Sequence, residues 1–306
     1  MRHKVTIVGS GNVGATVAQR LVEHDLADVV LLDILSDLAQ GKALDILESA
    51  PLLGFNASIA GGGDYALSAG SDLCILTAGL VRKPGMSRED LFAKNHEIVR
   101  GAVEQLVRRS PETVILVVTN PLDAMCEVAR RASGLPRGRV LGMAGVLDAA
   151  RLRYFIAHEL GVAPRDVTAM VFGGHTDTML VVPRFIAVDG VPVTELVAPP
   201  RLAELIARAR DGGNEVAGLY KQGSAYYTPS ASVFEMAAAI LEDRHQVLPC
   251  SAYLQGEYGI DGVFAGVPCR LGQGGVESIL ELALTDDELA SLQRSAEMAR
   301  RLASRS

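Results

Sequence analysis

No stretch of the chain approaches the run of about eighteen apolar residues that a bilayer-spanning helix needs, so no membrane segment is expected. Blocks of like charge are missing too. The 36 acidic and 29 basic side chains, a formal net charge of −7, are spread along the chain. That distribution argues against nucleic acid or an anionic membrane as a partner and leaves the binding of any anion to local arginines. There is no Pro/Ser-rich or Gln-rich tract of the kind that favours disorder, no internal repeat and no linker. Cysteine is sparse: Cys74, Cys126, Cys250 and Cys269 lie far apart, without the C-x-x-C or His spacing of a zinc site, so buried reduced thiols and no metal are expected. The first eight residues lack the apolar core of a secretory signal and run directly into Gly9, which makes a cytoplasmic location the expectation.

What is present is an ordinary globular composition, 49% hydrophobic and 21% charged over 306 residues, enough for two domains or for one large unit with a second lobe. The first half alternates β-branched runs at Lys4–Val8, Val29–Asp33, Asp72–Leu76 and Val114–Thr119 with helical patterns. Such alternation predicts βαβ crossovers around a parallel sheet covered on both faces. Val13, Val17 and Leu21 place one apolar stripe on a helix between the first two runs. From about Leu147 the pattern changes: a helical stretch to Leu160, a run at Asp166–Phe172, then Phe185–Thr194 with Asp189-Gly190 at its centre, a hairpin signal. Helical patterns at Leu202–Asp211 and Val233–Asp243, a strand pair at Val247–Leu254 and Gly262–Val267, and a terminal helix from Asp286 complete the chain. The expected fold is α/β: a Rossmann-type doubly wound parallel sheet over residues 1–145, followed by an α+β domain with antiparallel strands over 146–306.

Gly9-Ser10-Gly11-Asn12-Val13-Gly14 is G-x-G-x-x-G placed between a strand and a helix. The first glycine allows the tight turn, the second lets a pyrophosphate approach the backbone, and the third lets helix and strand pack closely. The helix N-terminus then offers free N–H groups to phosphate. Asp33 ends the second strand, where a carboxylate accepts the ribose hydroxyls of adenosine and repels a 2′-phosphate, so NAD is favoured over NADP. A plain strand-to-helix turn and a helix N-cap are the ordinary alternatives. Thr77-Ala78-Gly79 and Thr119-Asn120-Pro121 follow later strands and are expected to border a cofactor lying across the carboxyl ends of the sheet.

Gly79-Leu80-Val81-Arg82-Lys83-Pro84-Gly85-Met86-Ser87-Arg88 reads as a loop carrying cationic side chains. With Val118-Thr119-Asn120-Pro121, Leu147-Asp148-Ala149-Ala150-Arg151-Leu152-Arg153 and Gly173-Gly174-His175-Thr176-Asp177, it resembles the lactate/malate dehydrogenase family, most nearly its bacterial, lactate-dehydrogenase-like malate branch. The resemblance extends from the first strand through Gln40-Gly41-Lys42-Ala43-Leu44-Asp45 to Gly272-Gln273-Gly274-Gly275-Val276-Glu277.

Reduction of a 2-keto acid needs hydride at carbon and a proton at oxygen, and an imidazole exchanges protons near neutral pH. The resemblance implies that His175 has this role, paired with Asp148, and that Arg151 grips the C1 carboxylate bidentately. Arg88 would polarise the reacting carbonyl when its loop closes. Arg82 would meet the group on C3, where a guanidinium suits the second carboxylate of oxaloacetate and so favours malate over lactate. Asn120 would orient substrate or contact the nicotinamide ribose, and Asn12 and Asn95 join the cofactor-binding set. Taken singly, Asp148 is also a good first-turn helix acid, Arg151 an exposed helix arginine and Asn120 a helix cap. Arg153 is expected to be exposed, and His3, His24, His96, His158 and His245 are expected to be ordinary histidines. Two positions depart from the family pattern: Thr176 stands where it has Gly, and Val81 where it has Pro. The segment 225–232 is expected to return to the site through the small Ser230. The family also implies a homodimer or homotetramer.

Three rivals remain at this level. Lactate dehydrogenase is opposed by Arg82, an NAD-dependent glycosidase by the lack of a Cys/His metal site, and a non-catalytic NAD-binding protein by the intact set Arg88, Asp148, Arg151 and His175.

Overall fold

Strands that read as apolar throughout are buried on both faces of a sheet. The computed structural model describes residues 2–80, 88–175, 178–221 and 223–304. Its first half contains strands β1 (His3–Val8), β2 (Ala27–Leu32), β3 (Ile59–Gly62), β4 (Leu73–Leu76), β5 (Val114–Val117) and β6 (Val140–Gly142). Helices α1 (Asn12–Glu23), α2 (Ser36–Glu48), α3 (Ala50–Leu53), α4 (Arg88–Arg109) and α5 (Leu122–Ser133) connect them. All six strands are parallel, in the order β3-β2-β1-β4-β5-β6. Chain direction across the sheet reverses between β1 and β4, and a doubly wound sheet opens its ligand crevice at such a point. Every residue of β4 and β5 is buried, as helical cover on both faces requires.

The second half supplies α6 (Gly145–Leu160), β7 (Val167–Phe172), β8 (Leu180–Val188), β9 (Val191–Pro192), α7 (Val193–Leu196), α8 (Pro199–Tyr220) and α9 (Tyr227–Leu241). Then follow β10 (Gln246–Gln255), β11 (Asp261–Gly272), β12 (Gly275–Ile279) and α10 (Asp286–Ala303). Strands β7-β8-β9 form a separate antiparallel sheet whose turn, Asp189-Gly190, has φ of 47° and 82° at its two residues, as the hairpin signal required.

The strand pair expected at Val247–Leu254 and Gly262–Val267 is present as β10 and β11, but it does not stand apart. β10 joins β6 antiparallel through Ser251 and Gly142, so β10, β11 and β12 extend the first sheet to nine strands. The outer edge of β6 is buried, and its backbone groups need partners there. The helix expected over Leu202–Asp211 runs on through Gly212-Gly213 to Tyr220. No helix among the described residues is long and apolar enough to cross a membrane.

Candidate active site

At the carboxyl end of β1 the chain turns at Gly9, whose φ is +106°. A Cβ there would meet Ala78 N and Thr77 Oγ1 at 2.7 Å each, and one at Gly14 would collide with Gly9 O. The hydroxyl of Thr77 stitches this turn to β4 by donating to the carbonyls of Val8 and Gly9, at 3.1 and 2.9 Å. A Cβ on Gly11 would meet nothing within 4 Å, and α1 begins there without a side-chain cap bond. The first N–H groups of α1, beginning at the exposed Asn12, therefore lie under open space, a cradle that fits a pyrophosphate.

Asp33 follows β2 directly and faces the same turn. Its Oδ2 accepts from the Ser10 N–H and hydroxyl at 2.6 and 2.8 Å, and Oδ1 accepts from Leu35 N–H at 3.0 Å. Lys42, whose role was not legible in the sequence, donates to Ser10 O at 2.6 Å. Burial alone would raise the Asp33 pKa; the hydrogen bonds from Leu35 and Ser10 and the Lys42 charge outweigh it and hold the carboxyl below its usual value. An ionised acid at the end of β2 is suited to accept ribose hydroxyls and unsuited to a 2′-phosphate. The side chain is not an N-cap, since α2 starts after Leu35 without a side-chain cap bond.

Three segments meet at the end of β4 and β5. Thr119 Oγ1 donates to Ala78 O at 2.7 Å, and a Cβ on Gly79 would stand 2.5 Å from Thr119 Cγ2. Asn95, fully buried, accepts from Leu80 N–H at 2.8 Å and donates to Asn120 O at 2.6 Å and to Leu80 O at 3.2 Å. Its amide thus braces the two loops from within. Asn120 itself is exposed and does not cap α5, which has Pro121 at its N-cap position. The expectations for Val81, Arg82 and Thr176, and for the side chain of Arg88, lie outside the described residues.

On the other side, β7 ends at Phe172 and Gly173-Gly174 carries the chain to His175. The backbone of Gly173 exchanges hydrogen bonds with Gly266 of β11 at 2.8 and 3.2 Å, and Gly174 N–H donates to the buried Ser295 Oγ of α10 at 2.7 Å. His175 Nδ1 lies 2.8 Å from Asp148 Oδ2. Asp148 sits in the first turn of α6 as a helix acid and also meets the imidazole, so both readings of that residue hold geometrically. Burial would lower the His175 pKa; attraction to Asp148 and the hydrogen bond with it, aided by Asp123 and opposed by Arg151, raise it above 6.5.

Arg151 is not an exposed helix arginine. Its side chain is 13% exposed, its nearest ionic neighbour among the described residues is Asp148 at 3.7 Å, and burial lowers its pKa. A desolvated guanidinium of this kind suits a carboxylate. Arg153, expected to be exposed, is half-buried instead and donates from Nε to Val167 O at 2.6 Å, because α6 packs on β7.

A second buried acid, Asp123 of α5, was missed by sequence reasoning, since nothing local marks it. Its Oδ1 accepts from Ser251 Oγ at 2.6 Å, and a Cβ on Gly174 would approach its Oδ2 to 3.0 Å. Burial pushes its pKa up to about 6, against the Ser251 hydrogen bond and the His175 charge. Ser230, fully buried in α9, donates to Tyr226 O one turn back at 2.5 Å, and its hydroxyl also lies 3.2 Å from Val13 O at the start of α1. The remaining histidines lie in other surroundings: His24 beside Phe234, His158 stacked on Tyr154, His96 beside Glu97, His245 on Glu277 and His3 near Asp72.

Comparison with known proteins matches this geometry. Residues 3–142 fit the NAD binding domain of lactate/malate dehydrogenase, and residues 145–302 fit its alpha/beta C-terminal domain. A malate dehydrogenase of Thermomicrobium roseum is 55% identical over 99% of this chain and 97% of its own length. One of Desulforudis audaxviator is 52% identical over 96% and 95%. The solved malate dehydrogenase of Salinibacter ruber superposes with a TM-score of 0.94 at 49% identity, covering 98% of this chain and 96% of that one. The lactate dehydrogenase of Cryptosporidium parvum, complexed with lactic acid and nicotinamide adenine dinucleotide, reaches 0.95 at 39% identity, covering 99% and 98%. Both activities thus occur on this backbone, with NAD as the cofactor its first domain binds. An uncapped glycine turn facing an ionised acid, an imidazole on a buried carboxylate and near-complete coverage by both domain models lead to one assignment: the chain belongs to the lactate/malate dehydrogenase family.

Proposed function

We propose that the protein catalyses the reversible NAD-dependent oxidation of (S)-malate to oxaloacetate, a reaction of the tricarboxylic acid cycle. The observation that carries this reading is the 2.8 Å contact between His175 Nδ1 and the buried Asp148, with the desolvated Arg151 beside it. NAD, when bound, supplies or accepts the hydride. Gly9, Gly11, Asn12 and Gly14 would hold its pyrophosphate and Asp33 its adenosine ribose, with Thr77, Ala78, Gly79, Thr119 and Asn120 along its path. Asn95 acts on that path by bracing the loops. The two proposed domains, 1–145 and 146–306, divide this labour, since His175, Asp148 and Arg151 all belong to the second.

In reduction His175 gives the proton on Nε2 to the carbonyl oxygen, and in oxidation it takes the hydroxyl proton. Asp148 holds the tautomer that leaves Nε2 free for this exchange and stabilises the imidazolium. Arg151 holds the C1 carboxylate, Arg88 stabilises charge developing on the carbonyl oxygen, and Arg82 pairs with the second carboxylate. Arg82 and the names of the curated relatives support malate over lactate. Turnover of oxaloacetate against pyruvate tests this reading: Arg82→Gln is expected to lower kcat/KM for oxaloacetate by about 100-fold or more and to raise it for pyruvate. Equal use of both keto acids by the parent protein would overturn it.

The protein acts in the cytoplasm as a homodimer or homotetramer. Leu38 and Leu44 of α2 and Leu52 and Leu53 of α3 are large apolar side chains left exposed on one chain, at 43%, 57%, 88% and 57%, which supports association. Light scattering at micromolar concentration checks it.

A further inference from the structure

Helix α8 meets Arg151 where the helix has no side chains. Its buried residues run Leu202, Leu205, Ala209 and Gly212, one stripe of a helix, and their size falls toward the site. Leu202, Leu205 and Ala209 pack with Leu152 and Ile156 of α6. At Gly212 the neighbour is Arg151: a Cβ there would stand 3.0 Å from its Cδ and 3.4 Å from its Nε. One at Gly213 would stand 3.7 and 3.8 Å from Nη2 and Nη1, ordinary contact. The backbone of α8 therefore lies directly on the stem of the arginine.

Glycine is the poorest helix former after proline, yet two in succession lie inside a continuous helix of 22 residues here. Backbone conformation does not call for them, because neither has positive φ. Space does. Arg210 ties the same turn of α8 to Met179 O at 3.3 Å, so the helix is held in place and an added methyl group would displace the arginine.

We propose that Gly212 is a positioning residue for substrate: by lacking a Cβ it sets where the Arg151 guanidinium sits, and hence how tightly a substrate carboxylate is gripped. This rests on the reading of Arg151 as the carboxylate ligand. Groups that bind substrate have to be held within about 0.5 Å of their productive geometry, and the few tenths of an ångström that Arg151 would give at Cδ grow along the side chain toward the fork.

The test is a set of single variants of the full chain, with steady-state kinetics in oxaloacetate at saturating NADH, NADH binding by fluorescence titration, and thermal melting. Gly212→Ala is expected to raise KM for oxaloacetate about tenfold, with NADH affinity unchanged and the melting temperature within about 2 °C of the parent or above it. Gly218→Ala, an exposed position of the same helix where a Cβ meets nothing within 4 Å, gains the same helix propensity and should keep the parental KM. Arg151→Ala should raise KM strongly. A parental KM in Gly212→Ala beside a raised one in Arg151→Ala would overturn the positioning role and leave the arginine's role standing. A parental KM in Arg151→Ala would remove both. A Gly212→Ala protein that melts early and also loses NADH affinity would show general disruption, and that too would overturn the proposal.

Discussion

Asp148 and His175, 27 residues apart in the chain, meet at 2.8 Å between Oδ2 and Nδ1. One lies in the first turn of a helix and the other follows the end of a strand by three residues, and the packing of α6 on β7 brings them together. With Nδ1–H donating to the carboxylate, Nε2 is the nitrogen left to exchange a proton with substrate.

Replacing Asp148 by Asn should therefore lower kcat by about 100-fold to 10,000-fold with a smaller change in KM. Reduction needs protonated His175, so its rate falls as pH rises through the folded-state pKa, which Asp148 holds above 6.5. In Asp148→Asn that limb should move to lower pH, and the pH profile of kcat/KM for oxaloacetate checks it. The same sign governs stability: the raised pKa contributes stability fully present below pH 6.5 and lost as pH rises through the folded value. An unmoved limb would mean that Asp148 does not set the imidazole's protonation.

Asp33→Asn should weaken NADH about tenfold, by loss of charged hydrogen-bond acceptors, while NADPH binds better than it does to the parent because the repulsive charge is gone. Fluorescence titration with each cofactor gives the ratio. An unchanged preference would place the discrimination elsewhere.

For Asp123 the sign runs opposite to that of a paired surface acid. Its pKa, raised from 3.8 to about 6, means that the folded state holds its proton longer than the unfolded chain does. Stability from this group is present below pH 3.8 and is lost as pH rises to about 6. The cost above that range is about 3 kcal/mol. Asp123→Asn should therefore raise the melting temperature at pH 8 more than at pH 4.5, and an equal effect at both would refute the assignment.

Asn95→Leu should destabilise the protein by about 1–3 kcal/mol, because the part-buried hydrogen bonds from its fully buried amide to the backbone of Leu80 and Asn120 would be lost. Urea unfolding measures it. A loss below about 0.5 kcal/mol, usual for a surface site, would show that the two loops need no brace.

Much of the fold was legible because local chemistry settles it. The glycines at 9, 11 and 14, the apolar runs that became β1, β2, β4 and β5, and the Asp189-Gly190 turn each follow from the conformations open to a few adjacent residues. Thr285 and Glu288 close a capping box at the start of α10, the terminal helix expected from Asp286. Strands β3 and β6, of four and three residues with glycine among them, were too short to leave a periodic signal.

By itself, then, the sequence determined the alternation of elements, the nucleotide turn, the acid facing it and the residue types of the reacting site, all of which rest on short-range backbone and side-chain preferences. Only the tertiary structure decided that β10 continues the first sheet at β6, that Ser295 and Gly266 hold the His175 turn, that Asp123 lies buried close to it, and that α8 crosses Arg151 at a glycine. Those contacts join segments far apart in the chain. They are selected by burial and by the need to pair every buried polar group, which no window of sequence contains.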